Sequence, residues 1–566
     1  MTQPTYLHRP DRPERLTSEY ARREYALLAG RAERAEHEEE PSAWLEVMEE
    51  WNALSAYVRG EGSRISYRHN RAMDNPDLEE AERFYREEVS PAVSDGESGM
   101  VGALLRSRHR DAVADRFGPH LIRRYQLMVA SLDPANRDLR VEANRLSQQY
   151  SRRIAEAEVD VGGRRMTLAM AGSHGISEDR AIRREAFMAV RGWFVGQRDE
   201  LAAIYDRLVA LRTRMARNVG YDTYTPLGYQ AMGRTDFGPA ESALFRESVR
   251  RHVVPFLARL LEGQRADLGL ERLDPWDAGY DPSTTLPRGI APIDRQLDNA
   301  AKIFSSLHPD LAEHFDRMRR EGLIDRENRR AKRSGAFCTF FPDEPRAAIL
   351  CNSVGDADDV RTLLHEMGHA FQKWESRSIP SPILQSPTSE TAEVHSMGME
   401  YLSLPLIDRF FPDDMALRFR RGRWRKTINL LCYASTVDEF QHWVYDHPDA
   451  TPLDRDAAWR RLWDLYHPVI DYQGRDDLKS ARWYQQAHIF QSPFYYIDYA
   501  IAETMAMQLG ALDRRDHALA MSTYMDLCRM GGSMSILGVV EKTGLRSPFD
   551  PGTMADLMEI AEAEAM

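Results

Sequence analysis

A chain of 566 residues is longer than one hydrophobic core usually requires, so its length predicts two or more subdomains. Hydrophobic residues make up 43% of the chain and charged residues 29%, which is the balance of a water-soluble globular protein. The formal net charge of −13 argues against nucleic acid or an anionic membrane as the main partner, because both attract basic surfaces. No apolar run approaches the ~18 residues of a membrane span, and residues 1–20 lack the apolar core of a secretory signal.

The four cysteines, Cys338, Cys351, Cys432 and Cys528, are scattered and form no CxxC pair. This spacing favours free thiols in a reducing cytoplasm. Cys338 and Cys351 could face each other across a hairpin, and a disulfide between them is the weaker alternative. We therefore expect a cytoplasmic protein with no nucleic-acid or membrane partner. The sequence does not indicate its oligomeric state.

Helical patterns dominate the chain. In residues 43–58, apolar side chains recur at spacings of three and four, among them Trp44, Met48 and Trp51. Similar amphipathic runs cover residues 81–93, 137–158 and 201–219. The last of these runs ends at Gly220, a residue type that commonly terminates helices. A mainly α-helical fold is therefore expected.

Strand signals are few and short. Residues 158–169 alternate around Gly162 and Gly163, which predicts a β-hairpin. Residues 335–342 and 346–354 form a second candidate pair, joined by the turn-like sequence PDEPR. This second pair comes just before the motif described below, so a small sheet is expected beside that motif.

Two further stretches bear on domain organisation. Residues 273–289 are rich in Pro, Gly and Asp, so we expect a long surface loop there. A new helical run starts after the hairpin and indicates a boundary near residues 170–200. We expect an N-terminal helical region over residues 1–190, which includes the hairpin, and a second domain over residues 191–566.

Residues 358–374, DDVRTLLHEMGHAFQKW, contain the most informative motif of the chain. Their apolar stripe predicts a helix, on which His365 and His369 lie on the same side, one turn apart. Two imidazoles so placed can bind one tetrahedral Zn²⁺, while Glu366, about 100° around the axis, can reach a water beside the metal. Gly368 lowers helix propensity, which predicts close packing of another element at this point.

A catalytic zinc site needs a third protein ligand, and residues 389–406 offer one. This second helical pattern carries Glu390, Glu393 and Glu400 on one face. We predict Glu393 as the ligand and Glu400 as a group that holds a ligating imidazole by its other nitrogen. Glu390 is expected to be a helix-start carboxylate. His395 points elsewhere and is expected to be a packed or surface histidine.

A third feature follows more than a hundred residues later, in residues 485–509. His488 precedes Tyr495, Tyr496 and Tyr499, which open an almost entirely apolar helix. Aromatic clusters of this kind usually belong to a core. Next to a zinc site, however, phenols and an imidazole could donate hydrogen bonds to the oxyanion that forms when a carbonyl is attacked.

Taken together, these residues resemble peptidase family M3, in particular its oligoendopeptidase F branch. The sequence HEMGH (365–369) and the seven-residue step of EVHSMGME (393–400) are similar to the family's HExGH motif and its glutamate helix. The resemblance covers roughly residues 140–566. Further segments resemble the family in order, at residues 212–237, 334–341, 349–355 and 493–500.

This resemblance implies an elongated, mostly helical metallopeptidase with a deep central channel and a small β-sheet beside the zinc-binding helix. It implies one Zn²⁺ per chain and hydrolysis of internal bonds in short oligopeptides, because the channel excludes folded proteins. It also implies that the segment ILCNSVG, with Asn352, is the edge strand along which the substrate backbone lies. His395 departs from the family pattern, and by this resemblance it could touch the substrate.

The same resemblance implies roles for the motif residues. His365, His369 and Glu393 correspond to the zinc ligands, with Glu366 as the general base. The groups that stabilise the oxyanion correspond to His488 and Tyr496, with Tyr499 as a further candidate, and whether Tyr495 or Tyr496 faces the zinc stays open.

Two other functions remain possible from the sequence. A zinc carboxypeptidase or dipeptidase on a similar helical fold would need a cation to hold a terminal carboxylate, and Arg482 alone does not supply that argument. A peptide-binding protein with a structural zinc would need a fourth ligand, for which His395 and Glu390 are the candidates.

Overall fold

The computed structural model describes residues 15–131 and 133–565, and it is mainly α-helical with a few short strands. The first helices in chain order are α1 (Ser18–His37), α2 (Ser42–Arg71), α3 (Pro76–Phe84), α4 (Ser90–Arg106), α5 (Arg110–Phe117), α6 (Pro119–Ser131), α7 (Arg137–Ala155), α8 (Leu168–Gly172), α9 (Arg180–Gly196), α10 (Arg198–Asn218), α11 (Tyr224–Ala231), α12 (Pro239–Ser248) and α13 (Val254–Asp267). The remaining helices are α14 (Ile293–Leu307), α15 (Pro309–Arg320), α16 (Ala357–Glu375), α17 (Pro382–Gln385), α18 (Ser389–Ser403), α19 (Asp413–Asp446), α20 (Pro452–Tyr466), α21 (Asp476–Tyr484), α22 (Ala487–Gln491), α23 (Tyr496–Asp513), α24 (His517–Met530), α25 (Ile536–Thr543) and α26 (Pro551–Ala565). The strands are β1 (Glu158–Val161), β2 (Arg164–Thr167), β3 (Ile324–Glu327), β4 (Phe337–Phe341) and β5 (Arg346–Ser353).

The helices predicted from periodicity are confirmed. The apolar pattern of residues 43–58 lies within α2, where Trp44, Met48 and Trp51 are buried. The run that was expected to end at Gly220 is α10, and Gly220 adopts a left-handed conformation with φ 89° just after it. In the part of the chain that the structure describes, no helix is both long and apolar enough to cross a membrane.

The two predicted strand pairs are also confirmed. β1 and β2 pair antiparallel, and the turn residues Gly162 and Gly163 both have positive φ, which this tight hairpin requires. β4 and β5 pair antiparallel with Cys338 opposite Ile349, so Cys338 does not face Cys351. All four cysteines are free thiols, as the sequence favours.

One strand was missed, and its presence corrects an expectation about the sheet. β3 pairs parallel with β5, which gives the strand order β3-β5-β4. The segment ILCNSVG therefore forms most of a central strand, and the expectation that it is an edge strand is wrong. Lys332 explains why the short β3 is stable here, because its buried ammonium binds the Asp325 carboxylate at 2.8 Å and the Cys351 carbonyl at 2.6 Å.

The expected surface loop at residues 273–289 has no helix or strand, but it is not simply a surface loop. Leu273 and Asp277 are buried, and the Asp277 carboxylate accepts hydrogen bonds from Arg180 and Arg183. Its polar composition predicts the irregular backbone correctly. The buried ion pairs that hold the loop depend on α9, a partner distant in sequence.

By its internal contacts, the described chain divides into two compact units that alternate along the sequence. The first unit comprises the described residues up to Ala130, then Pro287–Phe411 and Ala506–Leu545. The second comprises Ser131–Leu286, Pro412–Met505 and the residues from Arg546 onward. The boundary expected at residue 190 stays a prediction, as do the elongated shape and the central channel.

Each unit has its own core. In the first, α1, α2, α4, α5 and α6 bury an aromatic and aliphatic cluster, and the three-stranded sheet packs Phe341 and Leu350 against Tyr67 of α2. In the second, buried aromatic rings of α19, α20 and α21 are in contact. The ring centroid of Phe440 lies 5.2 Å from that of Trp459 and 5.4 Å from that of Trp483. In the first unit, α16 carries His365 and His369, and α18 carries Glu393.

Candidate metal centre

Helix α16 begins at Ala357, just before the motif of residues 358–374. Asp356 is its N-cap, and the Asp359 carboxylate folds back to accept hydrogen bonds from the backbone N–H groups of Val354, Gly355 and Asp356 at 2.8, 2.6 and 3.1 Å. These bonds satisfy donors that would otherwise lack partners at the helix start and place a negative charge at its positive end. The N-terminus of the motif helix is thus fixed directly after β5.

Gly368 allows α16 and α18 to approach closely, as its position predicts. A Cβ atom at Gly368 would lie 2.5 Å from the carbonyl oxygen of His395 and 2.7 Å from Cα of Ser396. No side chain larger than hydrogen fits there without moving α18. This close contact brings Glu393 of α18 beside the two histidines of α16.

His365, His369 and Glu393 converge as the predicted ligand set. Each residue offers one ligand atom, and these three atoms lie within 4.8 Å of one another. Glu393 Oε2 is 3.4 Å from Nε2 of His365 and 3.6 Å from Nε2 of His369. The two imidazole rings are nearly perpendicular, with their centroids 5.1 Å apart.

These distances suit one zinc ion. Ligands about 2.0–2.1 Å from a tetrahedral Zn²⁺ are separated from each other by roughly 3.3–3.4 Å, close to the spacing between Glu393 and each histidine. Two imidazoles and one carboxylate also match the donor set of catalytic zinc sites, which leave one position open. Among the described residues, this is the cluster of histidine, cysteine and carboxylate groups that could hold a metal ion.

Carboxylates stabilise positive charge at His365. Its Nδ1 lies 2.7 Å from Oε1 of Glu400, the residue predicted to hold a ligating imidazole. Burial disfavours a charged ring, but the contacts with Glu393 and Glu400 outweigh burial and raise the pKa of His365 to about 10. The same arrangement favours a metal cation at Nε2, where it would replace the proton.

The other two ligand candidates are in the protonation states that metal binding requires. Burial lowers the pKa of His369 to about 3, so its ring is neutral at physiological pH. Burial alone would raise the pKa of Glu393, but its interactions with His365 and His369 prevail and lower it to about 2. A neutral imidazole and an ionised carboxylate need release no proton to bind a cation.

Glu366 is buried beside this cluster with one free carboxylate oxygen. Among the described residues, nothing donates a hydrogen bond to its Oε2. Burial raises the pKa of Glu366 to about 7, and the nearby Glu393 and Glu400 add to this effect against His365. A carboxylate that titrates near neutral pH, with an unused acceptor, has the properties of a general base.

The structure places the two remaining residues of this helix pair outside the ligand set. His395 is fully buried, and its Nε2 lies 3.1 Å from the Leu527 carbonyl oxygen. Its position matches the packed histidine expected from the residues and gives no support to a substrate contact. Glu390 lies at the start of α18, where one of its carboxylate oxygens accepts a hydrogen bond from the Thr388 hydroxyl at 2.6 Å.

Asn352 has a packing contact in the structure. Its Nδ2 donates hydrogen bonds to the carbonyl oxygens of Arg333 and Gly335 at 2.8 and 2.9 Å. These bonds tie β5 to the loop that precedes β4. Its side-chain amide is therefore engaged within the protein, and substrate binding by Asn352 gains no support.

In the second unit, the predicted tyrosines surround His488. Tyr495 stacks on the imidazole at 5.5 Å with an interplanar angle of 17°, while Tyr496 and Tyr499 approach at 4.9 and 6.1 Å with steeper angles. Burial lowers the pKa of His488, so its ring is neutral. The four residues thus form one cluster, with a neutral imidazole at its centre.

Gln486 was not identified as a functional candidate in the sequence, although it directly contacts His488. Its Nε2 lies 2.7 Å from Nδ1 of His488, and its Oε1 accepts a hydrogen bond from the Tyr433 hydroxyl at 2.8 Å. An amide nitrogen can only donate, so Nδ1 of His488 accepts and the proton of the neutral ring lies on Nε2. Because Gln486 is close to His488 in the sequence, it could have been identified as a candidate, whereas nothing in the sequence pointed to Tyr433.

The turn before the tyrosines has a strained backbone. Phe494 adopts φ 66°, a conformation that side chains other than glycine rarely occupy. Arg234 holds this turn, because its guanidinium donates to the Phe494 carbonyl oxygen and forms a fully buried ion pair with Asp498 at 2.6 Å. The conformation that presents Tyr495 and Tyr496 is therefore stabilised by contacts distant in sequence.

Comparisons with known proteins agree with this arrangement. The Peptidase M3 N-terminal domain matches residues 13–132, and Peptidase family M3 matches residues 174–559. Oligopeptidase PepF of Bacillus subtilis is 22% identical over 386 residues, which are 65% of this chain and 54% of PepF. Oligoendopeptidase F of Lactococcus lactis subsp. cremoris is 21% identical over 378 residues, 66% of this chain and 61% of that protein. The alignment thus spans less than two thirds of each of these relatives.

Solved structures match over nearly the whole chain. Pz peptidase A, determined with an inhibitor, has a TM-score of 0.89 and 30% identity, covering 99% of this chain and 98% of that one. An oligoendopeptidase F structure from Bacillus anthracis has a TM-score of 0.84 and 28% identity, covering 98% and 96% of the two chains. The resemblance inferred from the motifs is therefore confirmed, and the chain belongs to peptidase family M3.

Proposed function

We propose that this protein is a zinc-dependent endopeptidase that hydrolyses internal bonds of short oligopeptides. One observation carries the proposal: three ligand atoms of His365, His369 and Glu393 converge beside a buried Glu366 oxygen that has no partner among the described residues. Three ligands and a nearby base are what metal-assisted hydrolysis requires. Family membership supports peptide bonds as the target.

The chain's own residues divide the work. A Zn²⁺ held by His365, His369 and Glu393 would polarise the carbonyl of the bond to be cleaved and make an attacking water more acidic. Glu366 takes the proton from that water and then gives it to the departing amine. A pKa near 7 suits both transfers, because the group must be ionised to accept the proton and protonated to donate it.

We assign to His488 and Tyr496 the role of donating hydrogen bonds to the carbonyl oxygen of the bond to be cleaved. The contact with Gln486 supports this role for His488, since it leaves the Nε2–H free to donate. Tyr496 is the preferred phenol because its ring lies nearer to the imidazole than that of Tyr499. Tyr495 stacks flat on the imidazole, which favours an orienting role.

For the substrate backbone we propose strand addition at β4. The resemblance implies addition to ILCNSVG, but β5 is bonded on both sides, whereas β4 is at an edge of the sheet. An extended peptide can hydrogen-bond to such an edge strand through backbone groups alone, which suits an enzyme that accepts many sequences.

The two rival functions make different demands. A structural zinc would need a fourth ligand, and among the described residues neither His395 nor Glu390 belongs to the three-residue cluster, which favours an open site. An exopeptidase would remove residues stepwise from one end of a peptide. The proposed cytoplasmic location is consistent with the four free cysteines.

A digest of unfolded peptides of increasing length, analysed by mass spectrometry, tests the proposal. We expect internal cuts confined to short peptides, lost with a chelator and restored by added Zn²⁺. Stepwise shortening from one end would indicate an exopeptidase. A zinc-loaded protein that leaves every peptide intact would indicate a structural metal and would overturn the proposal.

A further inference from the structure

A cavity lies alongside β4 in the first unit, apart from the ligand cluster. Its volume is about 660 Å³, within the range of sites that bind small ligands or short peptide segments. Phe337, Cys338, Thr339 and Phe340 of β4 line one side, and α2 contributes to the wall. The cavity thus follows the strand to which we assign the substrate backbone.

This cavity is strongly cationic. Arg59, Arg124, Arg333 and Lys373 line it, and no Asp or Glu does so among the described residues. None of the four forms an ion pair with any residue that the structure describes, although Glu390 offsets part of the charge of Arg124. In a chain with a net charge of −13, four positive charges around one cavity form a local field that attracts an anion.

Hydrogen bonds to one distant segment hold the Arg124 guanidinium in place, and a backbone hydrogen bond to α2 anchors the loop that carries Arg333. The Arg124 guanidinium donates to the carbonyl oxygens of Ile383 and Ser386, both at 2.8 Å. The backbone N–H of Arg333 donates to the Asn70 carbonyl oxygen at 2.9 Å. Fixed donors lose less conformational entropy when they bind an anion than mobile surface side chains do.

Lys373 connects the cavity to the ligand cluster. It lines the cavity and lies on α16, the helix that also carries His365 and His369. It follows His369 by one helical turn and His365 by two, which is roughly 6 and 12 Å along the axis. An extended peptide advances about 3.3 Å per residue. Lys373 therefore lies about two to four residues from the bond that the ligand cluster would address. Burial also lowers the pKa of Lys373, so an anionic partner would stabilise its charged form.

We propose that this cavity binds a carboxylate of the peptide substrate, about two to four residues from the cleaved bond. This carboxylate is either the C-terminal group or an Asp or Glu side chain, since both present the same two oxygens. The proposal rests on the proposed function and refines it, because the enzyme would then favour peptides with an anion at a fixed distance from the cut.

Binding is measured by fluorescence anisotropy with the Glu366→Gln variant, so that labelled peptides are held without turnover. One pair of peptides differs only in a C-terminal acid or amide, and another only in Glu or Gln at internal positions. We expect the carboxylate form of one pair to bind ~10-fold more tightly or better, the usual contribution of charge-assisted hydrogen bonds. The pair that shows the difference identifies the source of the carboxylate.

Lys373→Gln and, separately, Arg59→Gln are added to the Glu366→Gln background. Either change should reduce, several-fold, the ratio of the affinity for the carboxylate peptide to the affinity for its neutral partner. Arg59 is exposed and can be replaced without disturbing the core. Arg68→Gln is the matched control, since Arg68 is exposed on the same helix α2 but does not line the cavity. The Arg68 variant should keep the full ratio.

Equal affinities for both members of both pairs would overturn the cavity proposal, as would an unchanged ratio in both the Lys373 and Arg59 variants. Failure of the proposed function is a separate result, because turnover is measured in the wild type. A wild type that cleaves no peptide, with the carboxylate preference intact in binding, would refute the peptidase mechanism and support the cavity.

Discussion

Glu400 orients the ring of His365 and keeps Nδ1 protonated, because its carboxylate oxygen lies 2.7 Å from Nδ1 and can only accept a hydrogen bond there. One ring proton is thereby held on Nδ1, and Nε2, which faces Glu393 at 3.4 Å, is the nitrogen at which a metal would replace the other proton. Two carboxylates of α18 thus orient one imidazole of α16 before any cation binds.

Replacement of Glu400 by Gln should weaken metal binding without removing a ligand. We expect a 10- to 100-fold loss of Zn²⁺ affinity, the usual effect of deleting such a supporting hydrogen bond. Competition with a zinc-sensitive dye measures the affinity. Glu80→Gln, which alters an exposed carboxylate of α3, is the control and should bind Zn²⁺ as the wild type does. Identical affinity in both variants would show that Glu400 does not orient the site.

Gly368→Ala should damage both stability and the metal site. The new Cβ would overlap the backbone of α18 at His395 and Ser396, so the two helices must separate. We expect a loss of about 1–3 kcal/mol in the free energy of unfolding, together with weaker Zn²⁺ binding because Glu393 moves with α18. Urea denaturation and the dye assay measure these effects.

Gly99→Ala is the matched control for Gly368. Gly99 lies within α4 of the same unit, and a Cβ there meets no atom within 4 Å. This variant should be equally stable or up to about 1 kcal/mol more stable, since Ala favours a helix. If Gly368→Ala behaved like Gly99→Ala, the close helix contact would not matter for the metal site.

Gln486→Glu should impair catalysis more than Gln486→Met. A carboxylate at this position accepts a hydrogen bond, so it would move the proton of His488 to Nδ1 and leave Nε2 unable to donate. We expect kcat to fall by ~100-fold with little change in KM, as for a lost oxyanion donor. Gln491→Glu, an exposed neighbour, serves as the control. Equal rates for Gln486→Glu and Gln486→Met would refute control of the tautomer.

His314 should make the protein sensitive to mild acid. It is buried and stacks on Trp374 at 4.7 Å; burial, with Arg317, Arg377 and Arg346, lowers its pKa to about 3. In the unfolded chain, His314 takes up a proton below its ordinary pKa of 6.5, whereas in the folded protein it stays neutral down to about pH 3. The free energy of unfolding is therefore highest above pH 6.5 and declines as pH falls towards 3. The loss amounts to about 2 kcal/mol at pH 5.

Urea denaturation between pH 7 and pH 5 checks this effect by comparing the slopes of stability against pH. His314→Leu should lose about 2 kcal/mol less over that range than the wild type, whatever its stability at pH 7. His37→Leu, at the exposed end of α1, should keep the wild-type slope. Parallel slopes for the wild type and His314→Leu would contradict the assignment.

The sequence predicted what depends on local patterns. The period of apolar residues located α2, α10 and α16, and the spacing of the histidines and glutamates identified the ligand candidates that converge. The need for glycine at Gly368 was also visible, because a helix interior tolerates it at a cost that some close contact must offset.

Features that depend on distant partners were missed. β3 is short, and Lys332 and Asp325 stabilise it through a buried ion pair that no local pattern reveals. The central position of β5 depends on that strand. Four cationic side chains from separate segments line the cavity. In the sequence, each of them is indistinguishable from an ordinary exposed Arg or Lys.

Metal content and turnover, measured on the same samples, test the central claim most directly. Wild type, Glu366→Gln and Glu393→Gln are each loaded with Zn²⁺, freed of excess metal and analysed by mass spectrometry for zinc and by peptide cleavage. We predict one zinc per chain in the wild type and in Glu366→Gln, with turnover nearly abolished in the latter, and loss of both zinc and turnover in Glu393→Gln. A Glu366→Gln variant that cleaves peptides within tenfold of the wild-type rate, or a Glu393→Gln variant that keeps its zinc, would contradict the assignment of base and ligand.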